Sequence, residues 1–600
     1  MKSFHLVLLK PSHYDDDGYV IRWWRSGIPS NTLATLYALA RDAGERSVLG
    51  DGVALRITTI DETNTRVRID RLTAMIERSG GHGLIALVGV QTNQFPRAMD
   101  IARRFRAHGI QVAIGGFHVS GVLSMLQEVT PEIQEAMDLG VSIFAGEIEH
   151  RFDDFLRDAR ERRLKPIYNF LADLPGIEGV APPYMPREYV QRTLGQLTSF
   201  DAGRGCPFVC SFCTIINVHG RKSRFRTPDD IERIVRENAT QQIKSFFITD
   251  DNFARNKNWE PIFDRLIALK RQGLGVHLTL QVDTQCHKIP RFIDKAAAAG
   301  TKRIFIGLEN INPDNLVAAN KKQNKITDYR AMLLAWRQHR VFIDGGYIIG
   351  FPGDTPETIR RDVEILKREL PMDRVQFYCL TPLPGSADHK ALYARGARMD
   401  PDLNNYDLNH ITTDHPVMSR DEWHGAFRDA WRSFYSVEHI KTLMRRGRTN
   451  RVSTGNIMGS SIAVYVYACI EGVQPLESGF IRRRVRRERR PGLPIEHPFL
   501  FYPKYLGRSL IGYSKALAML IPLALERQRL KRDPRAKDYM DQALTPVDDQ
   551  ASATLEMYTV TDAAMAAVRL HKEKQRRRAD VSGRANASAE VYQGTENARR

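Results

Sequence analysis

Three of the six cysteines in this 600-residue chain, Cys206, Cys210 and Cys213, fall within eight positions. Spacings of three and two intervening residues let three thiolates wrap one face of a 4Fe–4S cube. Cys286, Cys379 and Cys469 stand alone and offer no fourth ligand at a matching distance. An iron without a protein ligand can bind substrate, just as catalytic zinc keeps an open position. Gly203 and Gly205 give the loop the backbone freedom that a cluster requires. Two other readings of these residues remain open: a structural zinc held by the three thiolates and His219, and unrelated cysteines buried in a core.

The cysteines follow a strand pattern over Leu197–Asp201, the first of six. The others are Lys244–Thr249, Val276–Gln281, Arg303–Leu308, Phe342–Ile349 and Arg374–Leu380, with helical patterns between them. Six strand–helix units predict a partial (β/α)6 barrel over 193–400, with its chemistry at the carboxyl ends of the strands. Before it, strands at Phe4–Leu9, Val53–Ile60, Leu84–Val90, Ile110–Ile114 and Val141–Ala145 alternate with helices. That alternation predicts a doubly wound, parallel-sheet α/β domain over 1–173, of Rossmann or flavodoxin type. A proline-rich stretch at 174–192 reads as a linker, 401–570 as a mostly helical domain capping the barrel mouth, and 571–600 as a disordered basic tail.

The Cys-x3-Cys-x2-Cys pattern, with Phe212 just before its last cysteine, resembles the radical S-adenosylmethionine superfamily. The other landmarks fall at successive strand ends. They are Thr249-Asp250-Asp251-Asn252, Gln281, Gly307-Leu308-Glu309-Asn310, Gly350-Phe351-Pro352-Gly353 and Leu380-Thr381-Pro382. The resemblance implies that Cys206, Cys210 and Cys213 bind the cluster metal and carry catalysis. It also implies contacts to S-adenosylmethionine from Phe212, Asp250, Asp251, Gln281, Glu309, Gly350 and Pro352. Many members carry Gly-Gly-Glu where this chain has Asp250-Asp251. A doubly wound domain in front of the barrel is similar to the cobalamin-binding subclass. The matching residues there are Gln91, Thr92, Gly115, Gly116, His118, Gly146 and Glu147. The Asp-x-His-x-x-Gly signature that supplies a lower histidine ligand is absent, as in many radical members of that subclass.

The resemblance implies an enzyme that cleaves S-adenosylmethionine and methylates an unactivated carbon of an organic substrate. Oxidative cyclisation or rearrangement is the alternative chemistry. A flavodoxin- or ferredoxin-type protein is the expected electron donor. The tRNA methylthiotransferases share such a barrel but carry further cysteines near the N-terminus, and no cysteine precedes Cys206 here. A non-catalytic iron–sulfur sensor would need none of the later strand-end motifs. The net charge of +18 is concentrated near the C-terminus, where 482–490 holds seven arginines against one glutamate. Nucleic acid is not the expected partner. A solvated basic loop beside a buried helix over Ile511–Leu525 is the favoured reading, and peripheral contact with an anionic membrane, with a lipid-like substrate, is the alternative. The first residues read as a strand and not as a secretion signal, and Ile511–Leu525 is too short to span a bilayer. A cytoplasmic location is expected, with the inner membrane surface as its variant.

Overall fold

The computed structural model describes residues 2–546 and 555–577. In the N-terminal region, β1 (Lys2–Lys10) lies between β2 (Val53–Asp61) and β3 (Gly83–Leu87). Beyond β3 follow β4 (Gln111–Gly115), β5 (Val141–Ala145) and β6 (Ile167–Asn169), all parallel. This 2-1-3-4-5-6 order is the flavodoxin-like arrangement, with its switch point between β1 and β3. Alternation along β1 serves two cores. Val7 and Leu9 pack with helices Ile69–Glu77 and Phe95–Arg106, while Leu6 and Leu8 pack with Asn31–Glu45 and Phe152–Arg160.

The second sheet takes its strands in chain order: β7 (Leu197–Phe200), β8 (Ser245–Ile248), β9 (His277–Val282), β10 (Thr301–Glu309), β11 (Phe342–Ile349) and β12 (Arg374–Cys379). Every pairing is parallel, and β7 and β12 remain edges, so the barrel is partial. Helix starts were written into the sequence. Thr227 and Thr355 each form a reciprocal cap with the residue three positions on, followed by a proline whose missing N–H has no helical acceptor to lose.

The C-terminal helices cover an edge of the barrel and, through Trp423 against Gly350, the carboxyl end of β11. The Tyr435 hydroxyl accepts from Val375 N–H at 3.2 Å and donates to Val375 O at 2.6 Å. Gln474 Nε2 donates to Phe377 O at 3.1 Å, and Cys379 N–H to Leu408 O at 2.8 Å. Strand β12 would otherwise present open backbone groups, and these partners close it off. Trp431 completes the contact by packing on Phe377 at 5.2 Å between ring centroids.

The arginine run is not a solvated loop. A short antiparallel ribbon pairs Gly479–Arg482 with Trp23–Ser26, which brings the run against acidic residues of the N-terminal region. Arg482 and Arg484 meet Asp15, Arg490 grips Asp402, and Glu488 of the run takes Arg22. Arg483 and Arg487 stay exposed. The reading of Ile511–Leu525 as a short buried helix also fails. The segment belongs to one 35-residue helix, Pro498–Arg532, continuous through Pro503 and Pro522 and long and apolar enough to cross a membrane. It is buried along one side only. At the end of the chain, 571–577 continue a helix over 562–577, and the rest of the tail lies outside the described residues.

Candidate active site

The loop carrying the cysteines leaves β7 and is closed at its base by a ribbon pairing Gly203–Arg204 with Arg224–Phe225. Two consecutive aspartates at the end of β8 fix it. Buried Asp250 accepts from Ala202 N–H at 2.6 Å and Gly203 N–H at 2.8 Å through Oδ1, and from Asn256 Nδ2 at 3.0 Å through Oδ2. Burial lifts its carboxyl to about 7 against these three donors. Asp251 Oδ2 accepts from Gly205 N–H at 2.9 Å. Asp250 is thus a brace for the loop and not a surface for ligand, whereas Asp251 faces open space.

Cys206, Cys210 and Cys213 line one cavity of about 170 Å³, together with Phe208, Phe212, Asp251, Asn252, Gln281, Asp283, Glu309 and Lys321. Among the described residues no three His, Cys, Asp or Glu side chains converge as the ligands of a single ion do. Three thiolates on one cavity wall suit a cube, in which each takes its own iron. His219, the supposed fourth zinc ligand, instead points Nδ1 toward Asp251 Oδ2 at 3.5 Å. Asn252 Oδ1, on the cavity wall, is buried without a hydrogen-bond partner. Such an acceptor fits a ligand carrying an ammonium group or hydroxyls.

At the end of β10 the register with β11 slips between Gly307 and Glu309, and Glu309 takes a left-handed φ of 64°. The irregularity turns the Glu309 carboxylate into the cavity. Gly307 makes room for it, since a Cβ there would lie 2.3 Å from Glu309 Oε1. Lys321 Nζ donates to Glu309 Oε1 at 2.5 Å and sits 5.6 Å above the Phe212 ring. Glu309 keeps the Lys321 ammonium charged against the pull of burial, with Cys210 and Cys213 adding to the effect. Gln323 Nε2 lies 3.4 Å from Cys210 Sγ. Lys321 and Gln323 sit in a loop after a short helix, Pro313–Ala318, and no motif marks them in the sequence.

Gly350 and Pro352 do not reach this cavity. Gly350 is glycine because Trp423 lies against it: a Cβ would come within 2.0 Å of the indole. Its N–H and that of Phe351 donate to Asp354 Oδ2 at 2.8 and 2.9 Å, which shapes the loop while Pro352 faces outward.

A second cavity, of about 360 Å³, opens at the carboxyl ends of β1, β3, β4 and β5 and runs to the cysteine loop. Gly115, Gly116, Gly146, Glu147 and Glu149 line it from the N-terminal side, and Arg204, Ile215 and His219 from the other. Ile215, Asp251 and Gln281 belong to the walls of both cavities. The floor is apolar, with Leu6, Leu8, Leu36, Ala86 and Phe144. Asn31 Oδ1, Thr35 Oγ1 and His219 Nδ1, all on lining residues, are buried and lack hydrogen-bond partners. Apolar floor and unsatisfied polar atoms together fit a large ligand with polar side groups.

Gln91, Thr92 and His118 are not brought to that wall. Gln91 is exposed, where its N–H donates to Gln94 Oε1. His118 is fully buried, with Nδ1 3.3 Å from Thr92 Oγ1 and its ring against Phe95. Burial lowers it to about 3, so it stays neutral. In the helix Phe117–Met125 it is Phe117 that faces the cavity, and the next residue is rotated by the helical period into the core.

The two halves are locked at the cavity by charge. Arg204 donates Nη1 to Glu147 at 2.7 Å, Nη2 to Glu149 at 2.6 Å and Nε to Asp201 at 2.8 Å. Arg224 takes both Glu147 oxygens, at 2.7 and 2.6 Å. Lower on the seam, Ser124 Oγ donates to Asn217 O at 2.6 Å, and Asn217 Nδ2 to Gly385 O at 2.8 Å.

Comparison with known proteins agrees with this geometry. Residues 202–366 match the Radical SAM superfamily. The chain is 27% identical over 356 residues to bacteriochlorophyllide d C-12(1)-methyltransferase of Chlorobaculum tepidum, covering 56% of this chain and 73% of that protein. It is 26% identical over 353 residues to the C-8(2)-methyltransferase of the same organism, covering 56% and 74%. Among solved structures it is similar in fold to the radical S-adenosylmethionine methyltransferase TsrM of Kitasatospora setae. That match has a TM-score of 0.53 at 15% identity and covers 72% of this chain and 90% of the other. With three cysteines on one cavity at the strand ends of a partial barrel, residues 202–366 form a radical S-adenosylmethionine domain.

Proposed function

We propose that the protein transfers a methyl group to an unactivated carbon of a small organic substrate, with S-adenosylmethionine beside the cysteines and cobalamin in the larger cavity. The wall shared by the two cavities carries this reading: groups bound on either side of Ile215, Asp251 and Gln281 lie within reach of one substrate. The relatives named above as methyltransferases support the reaction, and TsrM, whose structure is also known with cobalamin and a 4Fe–4S cluster bound, supports the cofactor pair. Bound here, the cluster supplies the electron that splits S-adenosylmethionine, and cobalamin supplies a transferable methyl group.

The chain's own residues do the positioning. Asp251 and Asn252 accept hydrogen bonds from an ammonium or from ribose hydroxyls, and Lys321 offers a cation to a carboxylate. Phe208, Phe212, Phe305 and Val282 make the wall that keeps water from a reactive radical. On the cobalamin side, Asn31 and Thr35 supply polar contacts, while Gly115 and Gly116 let the backbone come close. Gly116 has φ 150°, and a Cβ there would collide with Val90 N at 2.2 Å. No histidine of the N-terminal domain is presented to a cobalt from the Gly115–His118 loop. A flavodoxin- or ferredoxin-type protein supplies the electrons.

Anaerobic reconstitution with iron, sulfide and hydroxocobalamin tests the reading. The protein should retain a corrinoid through gel filtration and move label from methyl-labelled S-adenosylmethionine to a substrate in host extract. Failure to retain a corrinoid would remove cobalamin from the account, and labelling without it would assign the methyl transfer to another route.

A further inference from the structure

The helix Pro498–Arg532 leaves a long apolar face open to solvent. Its packed side presents Phe501, Gly512, Met519, Leu523 and Leu530 to the protein, against helices Val437–Thr449 and Thr454–Tyr465. The opposite side carries Phe499, Leu506, Leu510, Leu517, Ile521 and Leu525, from 56% to 82% exposed. At the helical period these six fall on one half of the cylinder, over about 40 Å. That half holds no charged residue between 499 and 525. Lys504, Arg508 and Lys515 lie outside it, and the first two are already paired with Asp17. One turn beyond Leu525 the same face turns to Gln528, Lys531 and Arg532, both cations exposed and without an acidic partner among the described residues. Exposed Arg535 and Lys537 follow, with Asp533 and Asp538 as the nearby acids.

We propose that this face binds an anionic phospholipid bilayer, with the helix lying in the plane of the interface. An uncharged half-cylinder followed by exposed cations is the pattern of an interfacial helix: the apolar half enters the headgroup boundary while Lys531 and Arg532 reach the phosphates. The packed side argues against crossing the bilayer, because Phe501, Gly512, Met519, Leu523 and Leu530 are buried against the protein and buried Glu526 holds Arg445 Nε at 2.8 Å. Within the arginine run at 482–490, Arg482, Arg484 and Arg490 contribute little, because their charges are already paired within the protein. This inference does not depend on the cobalamin assignment.

Co-sedimentation of the full-length, iron-loaded protein with lipid vesicles tests it. Binding should be stronger to mixed phosphatidylglycerol–phosphatidylcholine vesicles than to phosphatidylcholine alone, and should weaken as salt is added. The double variant Leu510→Glu/Leu517→Glu, at exposed positions, should lower partition by roughly tenfold or more with unchanged iron content and circular dichroism. Should that variant misfold, Lys531→Glu/Arg532→Glu provides the second arm and should lose only the preference for anionic lipid. Three outcomes would overturn the proposal: no binding to either vesicle, undiminished binding by a folded Leu510→Glu/Leu517→Glu protein, or a stable dimer in the absence of lipid that this variant converts to monomer. Resistance of the membrane-bound protein to carbonate extraction would overturn it as well, in favour of a spanning helix.

Discussion

Arg204, two residues before the first cluster cysteine, donates to Glu147 of the N-terminal domain at 2.7 Å. The pair joins the loop that presents the thiolates to the loop that lines the larger cavity. A shift on one side is therefore passed to the other, because Arg204 also holds Glu149 and Asp201. Arg204→Met leaves three buried carboxylates short of a cation and should destabilise the protein by about 3–5 kcal/mol in urea unfolding. Glu147→Gln removes one charge from a site that still holds Asp201 and Glu149. It should cost less stability and lower corrinoid retention.

The two neighbouring aspartates should separate into different defects. Asp250→Ala strands the Ala202 and Gly203 N–H groups, each worth about 1–3 kcal/mol when left unpaired in a buried site. It should reduce iron incorporation although Asp250 touches neither cavity. Asp251→Asn keeps an acceptor for Gly205 N–H and should load iron normally, while raising the KM for S-adenosylmethionine by roughly tenfold, equivalent to about 1.4 kcal/mol. Iron assay and steady-state kinetics on the two variants check this split.

Lys321 shares the cavity wall with the three thiolates, and its charge acts on them. Lys321→Met should weaken S-adenosylmethionine binding and make the cluster harder to reduce, because a positive charge near a cluster favours its reduced form. It also leaves Glu309 without its partner, so Lys321→Met/Glu309→Gln should recover stability without recovering affinity. A redox titration followed by electron paramagnetic resonance, together with thermal unfolding, reads both effects.

A pH dependence of stability follows from His410. Burial opposes its charge, yet the hydrogen bonds it donates to the Asp16 and Asp407 carboxylates raise it to about 10 from the usual 6.5. The stabilisation is complete below about pH 6.5, where the unfolded chain is also protonated, and is lost as pH climbs toward 10. Thermal unfolding between pH 6 and 10 should show the wild-type midpoint falling more steeply than that of His410→Gln.

Both sheets were legible because eleven of their twelve strands carried a period, and only the three-residue strand Ile167–Asn169 was too short to show one. β11 reads Phe-Ile-Asp-Gly-Gly-Tyr-Ile-Ile and is buried throughout, as a central parallel strand should be. The three cysteines, Asp251, Gln281 and Glu309 stand at strand ends around the first cavity, where barrel geometry puts them. Side-chain direction was not legible at single positions. Asp250 and Asp251 are adjacent and alike in type, yet one braces backbone and the other faces ligand space, because successive side chains at a strand end point to opposite sides. His118 lost its place to Phe117 by one step of a helix. Lys321 and Arg204 act through partners distant in the chain, as Arg482, Arg484 and Arg490 do, and a charge run by itself does not show whether acids lie opposite it. The C-terminal helix was misjudged because its apolar residues fit a core as well as an interface, and only its packing partners separate the two.

Reduction of the anaerobically reconstituted protein in the presence of S-adenosylmethionine, with 5′-deoxyadenosine as the product measured, decides the account. Wild type should form 5′-deoxyadenosine and methionine, and Cys206→Ala, Cys210→Ala and Cys213→Ala should each lose iron and product together. Product formation by any of the three alanine variants, or none by a fully iron-loaded and reduced wild type, would contradict it.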